Sequence, residues 1–430
     1  MQLTIGNKTI KPIIYFCLLL FATSIYFGFN KNKHGAEGVI YSDAEGYYMY
    51  LPAVFIYHGF KDIPIAYTKQ FIPDSATGII YTKYTCGVAI LQLPFFLTTH
   101  LFASFINPDL ATGYSYPYRA AIIVAGSFYM ILGLYFVCLF LLKSYNIETV
   151  IVTAFFLFVG TNLYYYTLDE PGMSHVYSFF LMALFIFLTP KIIYEFSIKR
   201  LFWFSFILGI IALVRPSNII IGLFPLLYSL NHVSEIKNRL TLFLGSLKKI
   251  LIAALAFAIP FIPQFIYWDY TSGSIVNYSY GDEGFTSWMT PHFLDVWFSV
   301  WNGLFIYTPL ALVIIVSLIV MIYKKHTNAR LVLLIFILAS YIFGSWHMWW
   351  FGGSFGHRCF VEYYALLAIP FAYFINVTVF NNKIWVRFLS IIFLLSLSYY
   401  NIMLSYIYIA PWYGEEWGWK EYFIQVMRIF

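Results

Sequence analysis

Residues 119–142 read RAAIIVAGSFYMILGLYFVCLFLL, a run whose one charge, Arg119, stands at its first position. A helix rises 1.5 Å per residue, so roughly 17–25 mostly apolar residues cross the hydrocarbon of a bilayer. This run has that length. Comparable runs lie near 12–29, 150–166, 175–192, 202–214, 218–230, 250–267, 304–323, 330–346, 361–377 and 385–407. Together they predict an all-α polytopic membrane protein of about eleven transmembrane helices. The pair 202–214 and 218–230 is short and is separated by Arg215-Pro216-Ser217-Asn218, which suggests tilted or broken helices.

Composition points the same way. The chain is 61% hydrophobic and 10% charged, where a soluble domain carries about 25% charge. So little charge cannot cover a soluble globule of 430 residues, and a disordered chain needs low hydrophobicity. Lipid removes the contradiction, because it takes apolar side chains on the outside. Aromatic residues, 22% of the chain, suit interfacial belts and a cavity lining. The net charge of +6 does not point to nucleic acid, because the basic residues lie between apolar runs. Cys17, Cys86, Cys138 and Cys359 are scattered, with neither metal-ligand spacing nor the look of a disulfide framework. With no internal repeat and no low-complexity tract, residues 1–430 read as a single membrane domain.

Charge asymmetry gives an orientation. Lys8 and Lys11 precede the run Pro12 to Phe29, which reads as an uncleaved first helix rather than a signal peptide. Residues 85–106 are apolar enough to span but contain Gln92, Pro94 and His100. If they do not cross, the segments 143–149, 191–201, 231–249, 324–330 and 379–387 share a side with the N-terminus. That side then holds about 15 of the 25 Lys and Arg residues, and only Glu148, Glu195 and Glu235 of the 19 acids. The excess of positive charge puts the N-terminus in the cytoplasm. The long loops 30–118 and 268–303 and the turns at 167–174 and 347–360 then face outward. Residues 85–106 become a membrane-skimming or re-entrant part of the first outer loop.

The polar chemistry is confined to the outward segments. Ser42 to Phe55 reads SDAEGYYMYLPAVF, with Asp43 and Glu45 opening an aromatic amphipathic stretch. Asn162 to Phe180 reads NLYYYTLDEPGMSHVYSFF and places Asp169, Glu170 and His175 in a short turn. Arg215 interrupts an apolar stretch in LVRPSN, and a charge at that depth marks a candidate site. WWFGGSFGHRCFVEYY, from Trp349 to Tyr364, carries His357, Arg358 and, about a turn later, Glu362. A Gly-rich turn with Arg beside a membrane suits a lipid phosphate, which the guanidinium fork binds through several donors. Each cluster also suits a bland role: solvated acids, a capping His, or an Arg reaching the interface. No nucleotide-binding, zinc-protease or nucleophile-elbow motif is present.

Taken together, the acidic opening before Tyr47-Tyr48, TKYTCGVAILQLPFF (82–96), the DEPGMSH turn, the LVRPSN break and SFGHRCFVEYY resemble the GT-C superfamily of membrane glycosyltransferases. The likeness is to bacterial members related to protein O-mannosyltransferases and the lipid A aminoarabinose transferase. It covers nearly the whole chain in layout, through short motifs. The resemblance implies a fold of many helices whose first outer loop contains juxtamembrane helices. It also implies transfer of a sugar from a polyprenyl-phosphate donor to a glycan, lipid or protein acceptor on the outer face, usually with inversion. By that motif Asp43 and Glu45 are the catalytic carboxylates, with Asp43 favoured as base. Many relatives have two adjacent acids here, whereas Ala44 separates these two. The superfamily's second polar position falls on Asp169, Glu170 or His175.

The chemistry also follows from elementary needs. A lipid phosphate is already a good leaving group, so the site needs cations for its developing charge, and Arg215, His357 and Arg358 are available. The acceptor hydroxyl needs a carboxylate base. Glu362 joins Asp169, Glu170 and His175 as supporting polar groups. A divalent metal bridging carboxylate and phosphate is compatible with this scheme, though the sequence does not demand one. Two other classes compete. A transporter or flippase usually shows repeats and midplane charge, and a polysaccharide polymerase or ligase usually places its Arg and His in a large later loop.

Overall fold

A computed structural model describes residues 7–32, 39–61, 63–64, 71, 73–74, 77–230, 232, 234–408 and 411–430. Parts of the first long loop, including 33–38 and 65–70, and the side chain of Lys8 lie outside the described residues. Helix makes up 70% of the chain, with no strand among the described residues.

The order begins with α1 (Asn7–Lys31), the short α2 (Asp43–Tyr48) and α3 (Tyr50–Phe55), then α4 (Gly87–Ile106) and α5 (Tyr116–Leu141). Next come α6 (Ile147–Val159), α7 (Leu163–Leu168), α8 (Ser174–Tyr194), α9 (Ile198–Val214), α10 (Leu223–Leu227) and α11 (Glu235–Leu244). They are followed by α12 (Leu247–Ala258), α13 (Ile262–Ser272), α14 (Phe293–Phe298), α15 (Leu304–Tyr307) and α16 (Pro309–Tyr323). The last four are α17 (Ala329–Gly344), α18 (Tyr364–Thr378), α19 (Ile384–Ile407) and α20 (Trp419–Val426).

Among the described residues, six helical stretches are long and apolar enough to cross a bilayer: Ile10–Lys31, Gly87–Ile106, Tyr116–Leu141, Ser174–Tyr194, Leu247–Ser272 and Ile384–Ile407. Their outward faces are apolar. Leu19 is 64% exposed on α1, Leu255 64% on α12 and Phe388 64% on α19. Water does not stabilise such faces and lipid does. The molecule is thus an α-helical protein whose long apolar helices suit a lipid bilayer.

Each of the eleven runs read from sequence holds helix, but several are shorter than expected. Among the described residues, five apolar helices fall below spanning length: Ile147–Val159, Pro216–Leu227, Pro309–Tyr323, Ala329–Gly344 and Tyr364–Thr378. Local residues explain the breaks. The run 150–166 ends its helix at Gly160 and resumes as α7. The run 304–323 breaks at Thr308, before Pro309. Arg215 is extended (φ −149°, ψ 109°) and Pro216 opens a 3-10 turn over 216–222, as expected for a residue forced out of the helical region by a following proline.

α5 packs against α1, α4 and α8, α9 against α8 and α12, and α18 against α6 and α16. α5 and α8 run parallel at close range. Gly126 faces Pro171, and a Cβ on Gly133 would lie 2.5 Å from the Phe179 ring. The bundle has two distinct ends. At one, the Asn401 amide donates to Thr161 O, Asn162 to Phe355 O and Arg215 to Ser174. At the other, Ser229 N donates to Asn328 Oδ1 and Arg239 reaches Tyr228 O.

α4 has the length to span, but its contacts stay near the first of these ends. Its start lies against Val214, Tyr129 donates to Leu91 O, and His100 meets the Tyr118 hydroxyl at 2.6 Å. It therefore runs back along the first half of α5, toward the N-terminus of that helix.

Candidate functional site

The end of the bundle that carries the 160–175 turn gathers most of the acidic and basic groups singled out from sequence. Asp43 is the first residue of α2, after Ser42, whose φ of 53° is unusual for a residue with a side chain. Gly172 lets α2 approach, since a Cβ there would meet Val39 O at 2.4 Å and the Ala44 side chain at 2.9 Å. This close approach brings Asp43 beside the 167–174 turn.

Asp43 Oδ2 accepts from Arg358 Nη2 at 2.8 Å, and Oδ1 accepts from the Tyr84 hydroxyl at 2.5 Å. The side chains of Asp43 and Arg358 are 18% and 15% exposed, so the pair is sheltered but reachable. Burial alone would raise the Asp43 carboxyl. The Arg358 guanidinium, the Tyr84 hydrogen bond and the charge of Lys83 override it and hold the carboxyl below its ordinary value. Arg358 Nε is buried and has no hydrogen-bond partner. Gly356, at φ +63°, turns the chain tightly against Tyr307 just before His357 and Arg358.

Arg215 lies beside this pair, held to Cys359, the residue that follows Arg358. Its Nη2 reaches Cys359 Sγ at 2.8 Å, Nη1 reaches Ser174 Oγ at 3.3 Å, and Nε is 3.1 Å from Glu362 Oε1. Glu362 is fully buried and also faces His175 Nδ1 at 3.1 Å and the Asn218 amide at 3.3 Å. This inner cluster joins α8, the break after α9 and the start of α18. A buried carboxylate is tolerated here because a guanidinium, an imidazole and an amide surround it.

The other acids occupy the rim. Glu170 accepts from Tyr165 at 3.1 Å. Burial raises its carboxyl to about 7, against the opposing pull of Arg358 and that hydroxyl. Asp169 pairs with Lys31 at 2.6 Å, tying the end of α1 to the turn, and burial raises it to about 6 despite that cation.

Glu45 and His357 do not join the Asp43 pair. Residues two apart on a helix project from different faces, and Glu45, 1% exposed, lies where its charge acts on Tyr114. His357 is fully buried, with Nε2 3.1 Å from Trp349 O and its ring stacked on Phe343. Burial pushes the imidazole down to about 3, so it is a neutral anchor of the turn.

Tyr84, Lys83, Tyr47 and Cys359 belong to the site, yet sequence gave them no individual role. Lys83 stands between the rings of Tyr84 and Tyr280, 5.6 and 5.5 Å from their centroids, and pairs with Glu283 at 2.5 Å. The signal was present in TKYTCG, within a motif that carried the resemblance.

The carboxylates do not form a ready cation site. No three His, Cys, Asp or Glu residues come together to hold a metal among the described residues. Asp43, Glu362 and Asp169 each already face a cationic side chain. As arranged, this donor set fits an anion better than a divalent cation.

Compared with known proteins, the chain matches no family model, no curated protein and no solved structure.

Proposed function

We propose that the protein is a membrane glycosyltransferase. In this reading it moves a sugar, with inversion, from a polyprenyl-phosphate donor to a hydroxyl of a glycan, lipid or protein acceptor. It adopts a GT-C-like arrangement of about eleven crossings, with α2 and α3 in the first outer loop and α4 as its re-entrant part. The N-terminus lies in the cytoplasm of a bacterial inner membrane, and the Asp43 site lies outside. The observation that carries the reading is the sheltered Asp43–Arg358 pair, with Arg215 beside it, at one end of an apolar bundle.

The pair gives each residue a step. At rest Arg358 holds Asp43 ionised but weakly basic. The donor phosphate competes for Arg358, whose Nε has no partner, and an anion there is further held by Arg215. Losing its partner raises the basicity of Asp43. The acceptor oxygen attacks the anomeric carbon and its proton passes to Asp43. The bond from that carbon to the phosphate oxygen breaks, and polyprenyl phosphate leaves with its charge on the arginines. Asp43 then returns the proton to water. The aromatic lining, including Tyr47, Tyr84 and Tyr280, suits sugar faces and isoprenoid alike.

A flippase or transporter of lipid-linked sugars is the second reading. The break at 215–222 and the buried His175–Glu362–Arg215 cluster favour it. Purified protein in vesicles, given labelled polyprenyl-phosphate sugars and acceptor mixtures, separates the two. Labelled acceptor together with released polyprenyl phosphate supports transfer. Movement of intact donor between leaflets with no labelled acceptor supports the second reading and overturns the first.

A further inference from the structure

The opposite end of the bundle carries a different feature. A cleft of about 430 Å³ opens between the end of α8 and the start of α9. Its volume falls in the roughly 300–1,000 Å³ range of small-ligand sites. Lys191, Lys199 and Arg200 line it together with Leu188, Trp203 and Phe204. Arg200 is engaged by Glu195 at 2.8 Å. Among the described residues, neither Lys191 nor Lys199 has a carboxylate partner, and both are exposed. The apolar wall is firm, because Phe204 stacks on Phe185 with centroids 4.1 Å apart. Trp203, 52% exposed, is a ring of the kind that settles at a membrane interface.

We propose that this cleft binds the headgroup of an anionic phospholipid. The lysines take the phosphodiester, and Leu188, Trp203 and Phe204 take the glycerol backbone and first acyl carbons. Charge complementarity selects the occupant. Two uncompensated ammonium groups disfavour a zwitterionic headgroup, whose own cation would face them. A free phosphate would leave the apolar wall uncovered. The cleft lies at the other end of α8 from Ser174, apart from the Asp43 site. Two lysines facing an anionic lipid should strengthen binding by about 30-fold, each contributing the increment typical of a basic residue at a charged membrane surface.

The test uses the full chain purified in phosphatidylcholine micelles and titrated with phosphatidylglycerol. Native mass spectrometry counts the lipids retained. The wild type should retain phosphatidylglycerol in preference to phosphatidylcholine, and millimolar inorganic phosphate should not displace it. The variant Lys191→Gln/Lys199→Gln should lose that preference by about 30-fold, while Lys420→Gln, at the other end of the bundle, should keep it. Equal retention of both lipids by the wild type, or unchanged preference in the double variant, overturns the proposal. Displacement by inorganic phosphate overturns a lipid as the occupant.

Discussion

Nη2 of Arg358 stands 2.8 Å from Oδ2 of Asp43, joining two residues 315 positions apart in the chain. The contact ties the first long loop to the turn before α18. It leaves the buried Nε of the guanidinium without a hydrogen-bond partner. Under the proposed mechanism the guanidinium turns to the donor phosphate, which needs a planar fork and not merely a charge. Arg358→Lys keeps the charge and loses the fork. Donor binding should weaken by about tenfold to a hundredfold, the scale of a lost charge-assisted hydrogen bond. A binding isotherm with a polyprenyl-phosphate sugar reads this directly, and unaltered affinity would remove Arg358 from donor recognition.

Glu170 predicts a pH dependence of stability. Its folded carboxyl is raised to about 7 from an ordinary value of 4.5. The folded protein holds this proton where the unfolded chain has already released it. Stability linked to that proton is complete below about pH 4.5 and declines as the pH rises to about 7. Glu170→Gln is neutral throughout, so its Tm should decline less over that window than the wild type's. Asp169, raised to about 6, adds its own decline to both proteins. Parallel Tm profiles from pH 4 to 8 would contradict the assignment.

Glu362 is the hub of the inner cluster, and its loss strands Arg215. Removing one partner of a buried ion pair typically costs roughly 3–5 kcal/mol. Glu362→Gln should therefore unfold far more readily in detergent. Adding Arg215→Met should recover part of the loss, because no buried charge is then left alone. A single variant as stable as the wild type would show that the pair is not buried in the working protein.

Topology is open to a direct check. Single cysteines placed near Asp43 and Gly284 should react with an impermeant reagent applied to intact cells. One placed near Lys248 should react only after permeabilisation. The four native cysteines are buried and should contribute little background. Labelling near Lys248 from outside would reverse the orientation and place the Asp43 site in the cytoplasm.

The helical class was legible because long runs such as 119–142 admit few other solvents. Helix lengths were less so. Gly160 and Thr308-Pro309 end helices inside runs that hydropathy reads as continuous, whereas the break at Arg215-Pro216 was legible from the charge and the proline. Residues 87–106 form a helix long and apolar enough to span, and hydropathy does not reveal that Leu91 and His100 meet successive heights on α5. At the candidate site, loop parity puts Asp43, Arg215 and Arg358 at one end, but their pairing depends on how α2 seats against Gly172. Spacing also does not distinguish Asp43 from Glu45, or Arg358 from His357. A single helical turn does, by sending neighbouring side chains to different faces.

The central claim is that Asp43 takes the acceptor's proton. The decisive measurement is sugar transfer by Asp43→Asn in a reconstituted assay, with protein amount and donor binding followed in parallel. Asparagine is nearly isosteric, and its Oδ1 can still accept from Arg358 while its amide donates to the Tyr84 hydroxyl, so the fold and donor binding should survive. Turnover should drop by roughly 10²–10⁴, the range for a positioned base, while Glu45→Gln, altered on the far side of α2, should lose less. Wild-type turnover in Asp43→Asn would contradict the account, and wild-type turnover in both variants would remove the acidic loop from the chemistry altogether.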